Sequence, residues 1–285
     1  MGAYGLLGTS LSRHLLKSCY VVLRQGRGKD AEICIDPSRS DAVRQLFAAQ
    51  RIDIVVNLVA ATNVDQCEED VQSAYQANVQ VVEALIQAVS GESGFRIPHL
   101  VHISTDQVYD GPGPHDEKIV APCNVYALSK LAGEFAAATI GATILRTNFI
   151  GHSHCAGRNS LSDWIVSALR AGQKITVFDD VLFSALHIDT LCHLIELAIR
   201  ERHSGTYNLG CCDGASKAHL ALGLAERLGL DRDLMTVGSY QDIKLRARRP
   251  LDMRMNSSHF ARTFAIAMPT FESQIDLTAQ EYRNE

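Results

Sequence analysis

No run of apolar residues in the 285-residue chain approaches the roughly 18 that a helix needs to span a membrane. The opening, MGAYGLLGTSLSRH, has no basic leader, no cleavable apolar core and no Ser or Thr at position 6 of the kind myristoylation prefers. These absences lead us to expect a cytoplasmic protein with no membrane partner. Nor does one sign of charge dominate: 27 Lys and Arg stand against 32 Asp and Glu, a formal net charge of -5, with no long run of either. Such a surface is not built to grip phosphate backbones, which argues against nucleic acid as a partner.

Paired cysteine motifs are also missing. The eight cysteines, Cys19, Cys34, Cys67, Cys123, Cys155, Cys192, Cys211 and Cys212, contain no C-x-x-C pair. They read as reduced thiols rather than a disulfide framework or a zinc ribbon. His152, His154 and Cys155 stand close together between Gly151 and Gly157. A polar, solvent-facing loop is the expected reading there, and no metal site is assigned. The single tryptophan, Trp164, falls on an apolar helical stretch and is expected in the core, with stacking on a nucleotide base as the alternative.

What the chain does have is alternation. Short β-branched runs at 20–23, 31–35, 53–58, 99–104 and 142–146 take turns with amphipathic stretches at 6–17, 40–50, 71–89 and 125–139. Short strands with few charges suit a parallel sheet covered on both faces. Beyond Gly151 the pattern loosens, with helical stretches at 161–171, 190–200, 216–228 and 257–264 and a strand-like ITVF at 175–178.

The segment GAYGLLG sets Gly2, Gly5 and Gly8 directly before an amphipathic helix. Glycine in such a turn lets the backbone close tightly and lets a pyrophosphate approach the helix N-terminus. Gly2, Tyr4, Gly5, Leu6 and Leu7 are therefore the expected pyrophosphate cradle, although three glycines alone also occur by chance. The expected fold class is α/β: a Rossmann-type doubly wound parallel sheet over residues 1–150, joined by segments from about 180–205, then a smaller mixed α/β substrate domain over 151–285. In that fold a strand precedes the glycine turn, yet Met1 stands immediately before Gly2, so the first strand is missing and an upstream start is the expectation.

At the place where NAD-binding folds carry an acid, the chain reads VVLRQGRGK. Arg24 with its neighbours Arg27 and Lys29 suits a 2′-phosphate, so NADPH is expected ahead of NADH; a plain solvated basic loop is the alternative. Asp36 is placed to accept from an adenine amino group. In NLVAATNVDQCEED, Val59, Ala60 and Ala61 let a cofactor lie close to the backbone. HISTDQVYDG delivers Ser104 and Thr105 to the carboxyl edge of the sheet, and NVYALSK puts Tyr126 and Lys130 four residues apart on one helix face. A neighbouring Lys cation and an oxidised nicotinamide ring would draw the phenol pKa of about 10 toward neutrality. Thr105 would then bond the reacting oxygen, Tyr126 would protonate it, and Lys130 would hold the nicotinamide ribose.

With GAYGLLG, NLVAATNVDQCEED, Asn78 in the following helix, STDQVYDG, YALSK and ILRTNFIG, the sequence resembles the extended short-chain dehydrogenase/reductases, and among them the dTDP-4-dehydrorhamnose reductase family. A weaker tail match is ARRPLDMRMNSSHFARTF. The resemblance implies a Thr105, Tyr126, Lys130 triad, Asn78 and Ser104 beside the cofactor, and reduction of a nucleotide-linked 4-keto-6-deoxy sugar by NADPH or NADH. It further implies substrate contacts at Thr62, Gln107, Asn148, Phe149 and Arg249. Gln107, Tyr109, Asn148 and Phe149 depart from the family's usual residues and are expected near the sugar-nucleotide pocket. The loop 151–163, with His152, His154, Arg158 and Asn159, and the arginines Arg246, Arg248 and Arg249 are candidates to face the substrate diphosphate, or to be ordinary solvated surface.

Two other classes share these features. A sugar-nucleotide epimerase or dehydratase would use the same Tyr/Lys pair, but Asp106 and Gln107 follow Thr105 where dehydratases usually place Asp-Glu. A non-catalytic regulatory subunit similar to the methionine adenosyltransferase β subunit is the third reading. A homodimer is left open in each case.

Overall fold

The computed structural model describes residues 1–89 and 98–284. Leucines recurring at helical spacing make Leu6–Lys17 an amphipathic helix, α1, with Leu7, Leu11 and Leu15 buried. Two short parallel strands follow, β1 (Gln25–Gly26) and β2 (Ile33–Cys34), then helix α2 (Ser40–Ala49) and strand β3 (Ile54–Asn57). Helices α3 (Val64–Glu69) and α4 (Val71–Tyr75) lead through a π-turn, Gln76–Gln80, into α5 (Val81–Val89). Strand β4 (His99–Thr105), helix α6 (Val125–Ala138) and strands β5 (Thr143–Thr147) and β6 (Phe149–Ile150) complete the first half.

The expected helix over 71–89 is thus interrupted, and the cause is close packing. A Cβ on Gly133 of α6 would sit 2.3 Å from the Asn78 carbonyl oxygen, so α6 runs against the backbone of the π-turn.

The second half contains α7 (Leu161–Arg170), β7 (Ile175–Phe178), β8 (Leu182–Phe183), β9 (Leu186–His187), α8 (Ile188–Glu201) and β10 (Gly205–Leu209). Then come β11 (Ala215–Ser216), α9 (Lys217–Leu228), β12 (Met235–Gly238), α10 (Ser258–Thr263) and α11 (Phe271–Arg283). Helix α11 was not anticipated, although Phe271, Ile275, Ala279 and Tyr282 are buried along one face of it. Trp164 corrects another expectation: it lies on the outer side of α7 and is 46% exposed.

The main sheet runs β10-β5-β4-β3, all parallel, so Asn57, Thr105, Thr147 and Leu209 end at one edge. One face is covered by a core that includes the α1 leucines with Leu191, Leu194 and Ile195 of α8. The other carries Val43, Val82, Leu85, Leu100 and Ile144, where α2, α5 and α6 pack.

Beyond β3 the sheet stops. Residues 20–23, expected as a strand, form none, and Val21 is 94% exposed. A strand exists through its hydrogen-bonded neighbour. Here the place of that neighbour is a groove of about 460 Å³ lined by Val22, Leu23, Ile54, Val56 and Leu58. Met1 bonds to the open edge of β3: its amine donates to Val56 O at 2.6 Å, and Leu58 N donates to Met1 O at 3.1 Å.

Candidate active site

Strand β4 carries Ser104 and Thr105 to the carboxyl edge, and α6 starts beside them. Asn124 caps that helix by accepting from Ala127 N at 2.8 Å, and its own amide donates to Arg248 O at 2.8 Å. With the start fixed, Tyr126, Lys130 and Glu134 fall on one helix face, all buried. Thr105 lies beside the Tyr126 phenol, Lys130 Nζ donates to Ile103 O at 2.6 Å, and Ser104 Oγ donates to Glu134 Oε1 at 2.5 Å.

Burial sets the charges here. It pushes the Tyr126 phenol up to about 12, with Thr105 acting in the opposite direction. The expectation that Lys130 draws the phenol toward neutrality is therefore not met in the chain by itself, because desolvation dominates. Lys130 is pushed down to about 8 by burial, with the Glu134 carboxylate acting in the opposite direction.

Asp106, weighed in the sequence only against the dehydratase pattern, sits inside the same STD triplet and was not expected as a site residue. It is 1% exposed, and burial pushes its carboxyl up to about 6. Asn148 Nδ2 donates to one of its oxygens at 2.7 Å and Thr105 Oγ1 to the other at 3.3 Å. Asn148, expected at the substrate, therefore braces Asp106. Gln107 presents a buried Oε1 with no hydrogen-bond partner among the described residues, an acceptor that a ligand could complete. Phe149 is half-buried in β6, beside Asn148, while Thr62 is exposed between β3 and α3.

Tyr109 departs from its expected place near the pocket. It is fully buried behind the triad, where its hydroxyl accepts from Arg146 Nη1 at 2.8 Å and donates to Asn208 Oδ1 at 2.6 Å. Arg146 also pairs with Glu134, so β4, β5, β10 and α6 are joined under the site.

On the cofactor side, Gly2 has φ +75°, and a Cβ on Gly8 would lie 2.2 Å from the Gly2 oxygen. Only glycine permits that approach. Gly5 at the N-cap of α1 has no side-chain cap, which leaves the first helical N–H groups at Leu6 and Leu7 for an anion. These features fit a dinucleotide pyrophosphate. Ala61 N donates to Asn78 Oδ1 at 2.9 Å, and Asn78 Nδ2 donates to Ser129 Oγ at 2.8 Å, which fixes the wall formed by Val59, Ala60 and Ala61. Arg24 lies 5.8 Å from the centre of the Tyr4 ring and pairs with Glu32 at 3.1 Å. Asp36 accepts from Ser38 N and Oγ, and the hydroxyl bond, the larger effect, lowers its pKa.

A cavity of about 530 Å³ opens next to Asp110, lined by Tyr240, Ile243, Leu245, Arg248 and Arg249. Each arginine of that segment meets an acid of the first half: Arg246 with Glu69, Arg248 with Asp110 at 2.6 Å and Arg249 with Asp65 at 2.8 Å. The loop 151–163 lies elsewhere. Cys155 Sγ is 3.2 Å from Tyr4 O, over the glycine turn, while His152 bonds to Asp163 at 2.9 Å and His154 pairs with Glu281 at 3.4 Å. These contacts set Cys155 beside the glycine turn and tie His152 and His154 to acids of the second half.

The chain is similar over most of its length to known proteins. The dTDP-4-dehydrorhamnose reductase of Escherichia coli K12 is 27% identical over 95% of this chain and 93% of its own. That of Sinorhizobium fredii is 30% identical over 77% of each. The crystal structure of dTDP-4-dehydrorhamnose reductase from Bacillus anthracis in complex with NADP superposes with a TM-score of 0.85 at 24% identity, covering 98% of this chain and 97% of that one. The RmlD substrate binding domain profile matches residues 1–284, and the chain belongs to that family.

Proposed function

We propose that the protein is an NAD(P)H-dependent reductase of a nucleotide-linked 4-keto-6-deoxy sugar, acting in deoxysugar or surface polysaccharide biosynthesis. The observation that carries this reading is the buried Tyr126–Lys130 pair, one helical turn apart, beside Thr105 at the carboxyl edge of a parallel sheet. The names of the relatives support it. In this reading residues 1–150 hold the dinucleotide, and 151–285 supply much of the cavity beside Asp110.

The reduced dinucleotide, when bound, supplies the hydride. The Gly2–Gly5 turn and the N–H groups of Leu6 and Leu7 hold its pyrophosphate, Arg24 a 2′-phosphate, Asp36 the adenine amino group, and Asn78 positions the wall at Ala61. NADPH is favoured over NADH by the cation at Arg24. Tyr126, with its pKa near 12, is fully protonated at neutral pH, the state a proton donor needs in the direction of reduction. Thr105 orients the carbonyl oxygen, and Lys130, charged below about pH 8, favours the phenolate left after transfer. The nucleotide lies against Tyr240, Ile243 and Leu245, with Arg249 and Arg248 exchanging their acids for the diphosphate. A cytoplasmic site of action belongs to this reading; the cysteines are all free and no helix among the described residues is long and apolar enough to cross a membrane. The partners are the two small molecules, with a homodimer as the assembly to look for.

The test is NADPH oxidation in the presence of dTDP-4-keto-6-deoxyhexoses, with NADH and UDP- and GDP-linked counterparts alongside. Turnover with one nucleotide series is the expected result. Tight NADPH binding with no oxidation by any keto sugar would overturn the proposal and turn attention to a regulatory role.

A further inference from the structure

Where α1 packs against α8, three nitrogen and oxygen donors meet that nothing in the reductase site uses. His14 lies in the last turn of α1, and His193 and Glu196 stand three residues apart on α8. His14 Nε2 is 2.5 Å from Glu196 Oε2, and the His14 and His193 rings meet edge to face with centroids 4.4 Å apart. One ligand atom from each of the three residues lies within 4.8 Å of the other two. Ser18 Oγ donates to the same Glu196 oxygen at 3.1 Å.

We propose that these three side chains form a binding site for a divalent transition metal ion of the Zn²⁺ class. Two imidazoles and one carboxylate are a borderline donor set that favours Zn²⁺, Co²⁺ or Ni²⁺ over Mg²⁺ or Ca²⁺, which prefer oxygen throughout. Zn²⁺ bonds nitrogen and carboxylate oxygen at about 2.0–2.2 Å, so donors this close need only side-chain rotation to share one ion. A metal ion bound to His14 Nε2 and Glu196 Oε2 takes the place of the hydrogen bond between them. Ser18 supplies the outer hydrogen bond that steadies a ligating carboxylate. His193 is exposed, whereas His14 and Glu196 keep only 17% and 20% of their side chains in solvent. The ion therefore enters from the His193 side, and water completes its coordination.

The site ties the two helices together rather than taking part in hydride transfer. Helix α1 presents its amino end to the dinucleotide and α8 leads into β10 of the main sheet, so the ion clamps the cofactor-binding helix to its neighbour on the same face of the sheet. Sequence spacing gives no warning of it, since His14 and Glu196 are 182 residues apart.

The experiment is a Co²⁺ titration of the reduced, metal-free protein, followed by visible absorption, with Zn²⁺ competition and thermal melts. One equivalent is expected to give d–d bands without a thiolate-to-cobalt charge-transfer band, and Zn²⁺ should displace it and raise the melting temperature. His193→Ala, at an exposed position, should weaken binding by at least about tenfold and leave NADPH binding unchanged; Ser18→Ala should weaken it less. A thiolate band, equal affinity in the His193→Ala variant, or no saturable binding below millimolar metal would overturn the proposal.

Discussion

Glu134 and Arg146 form a doubly bonded ion pair, Nε to Oε1 at 3.0 Å and Nη2 to Oε2 at 2.6 Å, with 3% and 5% of their side chains exposed. Removing one partner strands the other charge in the core. Glu134→Gln is expected to cost about 3–5 kcal/mol, read from the urea midpoint. It also removes the carboxylate that holds the Lys130 pKa up, so the basic limb of the rate profile should move from about 8 to lower pH in any variant that folds. An unmoved limb would separate Glu134 from the chemistry and leave it a purely structural residue.

Tyr126→Phe deletes the proton donor and little volume. We expect turnover to drop by about 10²-fold or more with NADPH affinity unchanged. Pre-steady-state kinetics and a fluorescence titration distinguish the two, and a parallel loss of cofactor affinity would contradict the assigned role.

Asn148 donates to Asp106, and that bond favours the charged carboxylate. Asn148→Ala should therefore raise the Asp106 pKa above its present value of about 6. The acid limb of kcat/KM is expected to shift upward in pH, and Asp106→Asn should abolish that limb. An acid limb identical in all three proteins would assign it to another group.

Gly8→Ala places a methyl group 2.2 Å from the Gly2 oxygen, a distance that backbone atoms must move to relieve. We expect NADPH binding to weaken sharply. Gly28→Ala, with nothing within 4 Å of the added carbon, is the control and should stay within about 0.5 kcal/mol of the parent in stability.

The groove between Leu23 and Val56 has the walls of a strand position without the strand. A chain lengthened before Met1 by a few alternating β-branched residues should gain stability in urea, because the edge of β3 and the apolar wall at 22–23 acquire a partner. A Gly-Ser extension of equal length should do nothing. Equal midpoints for both extensions would mean that the groove does not accept a strand.

Much of this protein is determined by its sequence alone, and the reason is local. The α1 leucines, the short runs that became β3, β4 and β5, the glycine turn and the Tyr126–Lys130 spacing depend on period and backbone freedom within a few residues. Those features are written one after another in the chain. What tertiary structure decided depends on which distant groups meet. Residues 20–23 have strand composition but no neighbour to pair with, and the helix expected over 71–89 breaks where Gly133 of α6 presses on Asn78. Tyr109 is buried away from solvent, where it accepts from Arg146, and Asn148 donates to the buried Asp106. Burial also moved the Tyr126 and Lys130 pKa values, since desolvation is a property of the folded core and of no single segment.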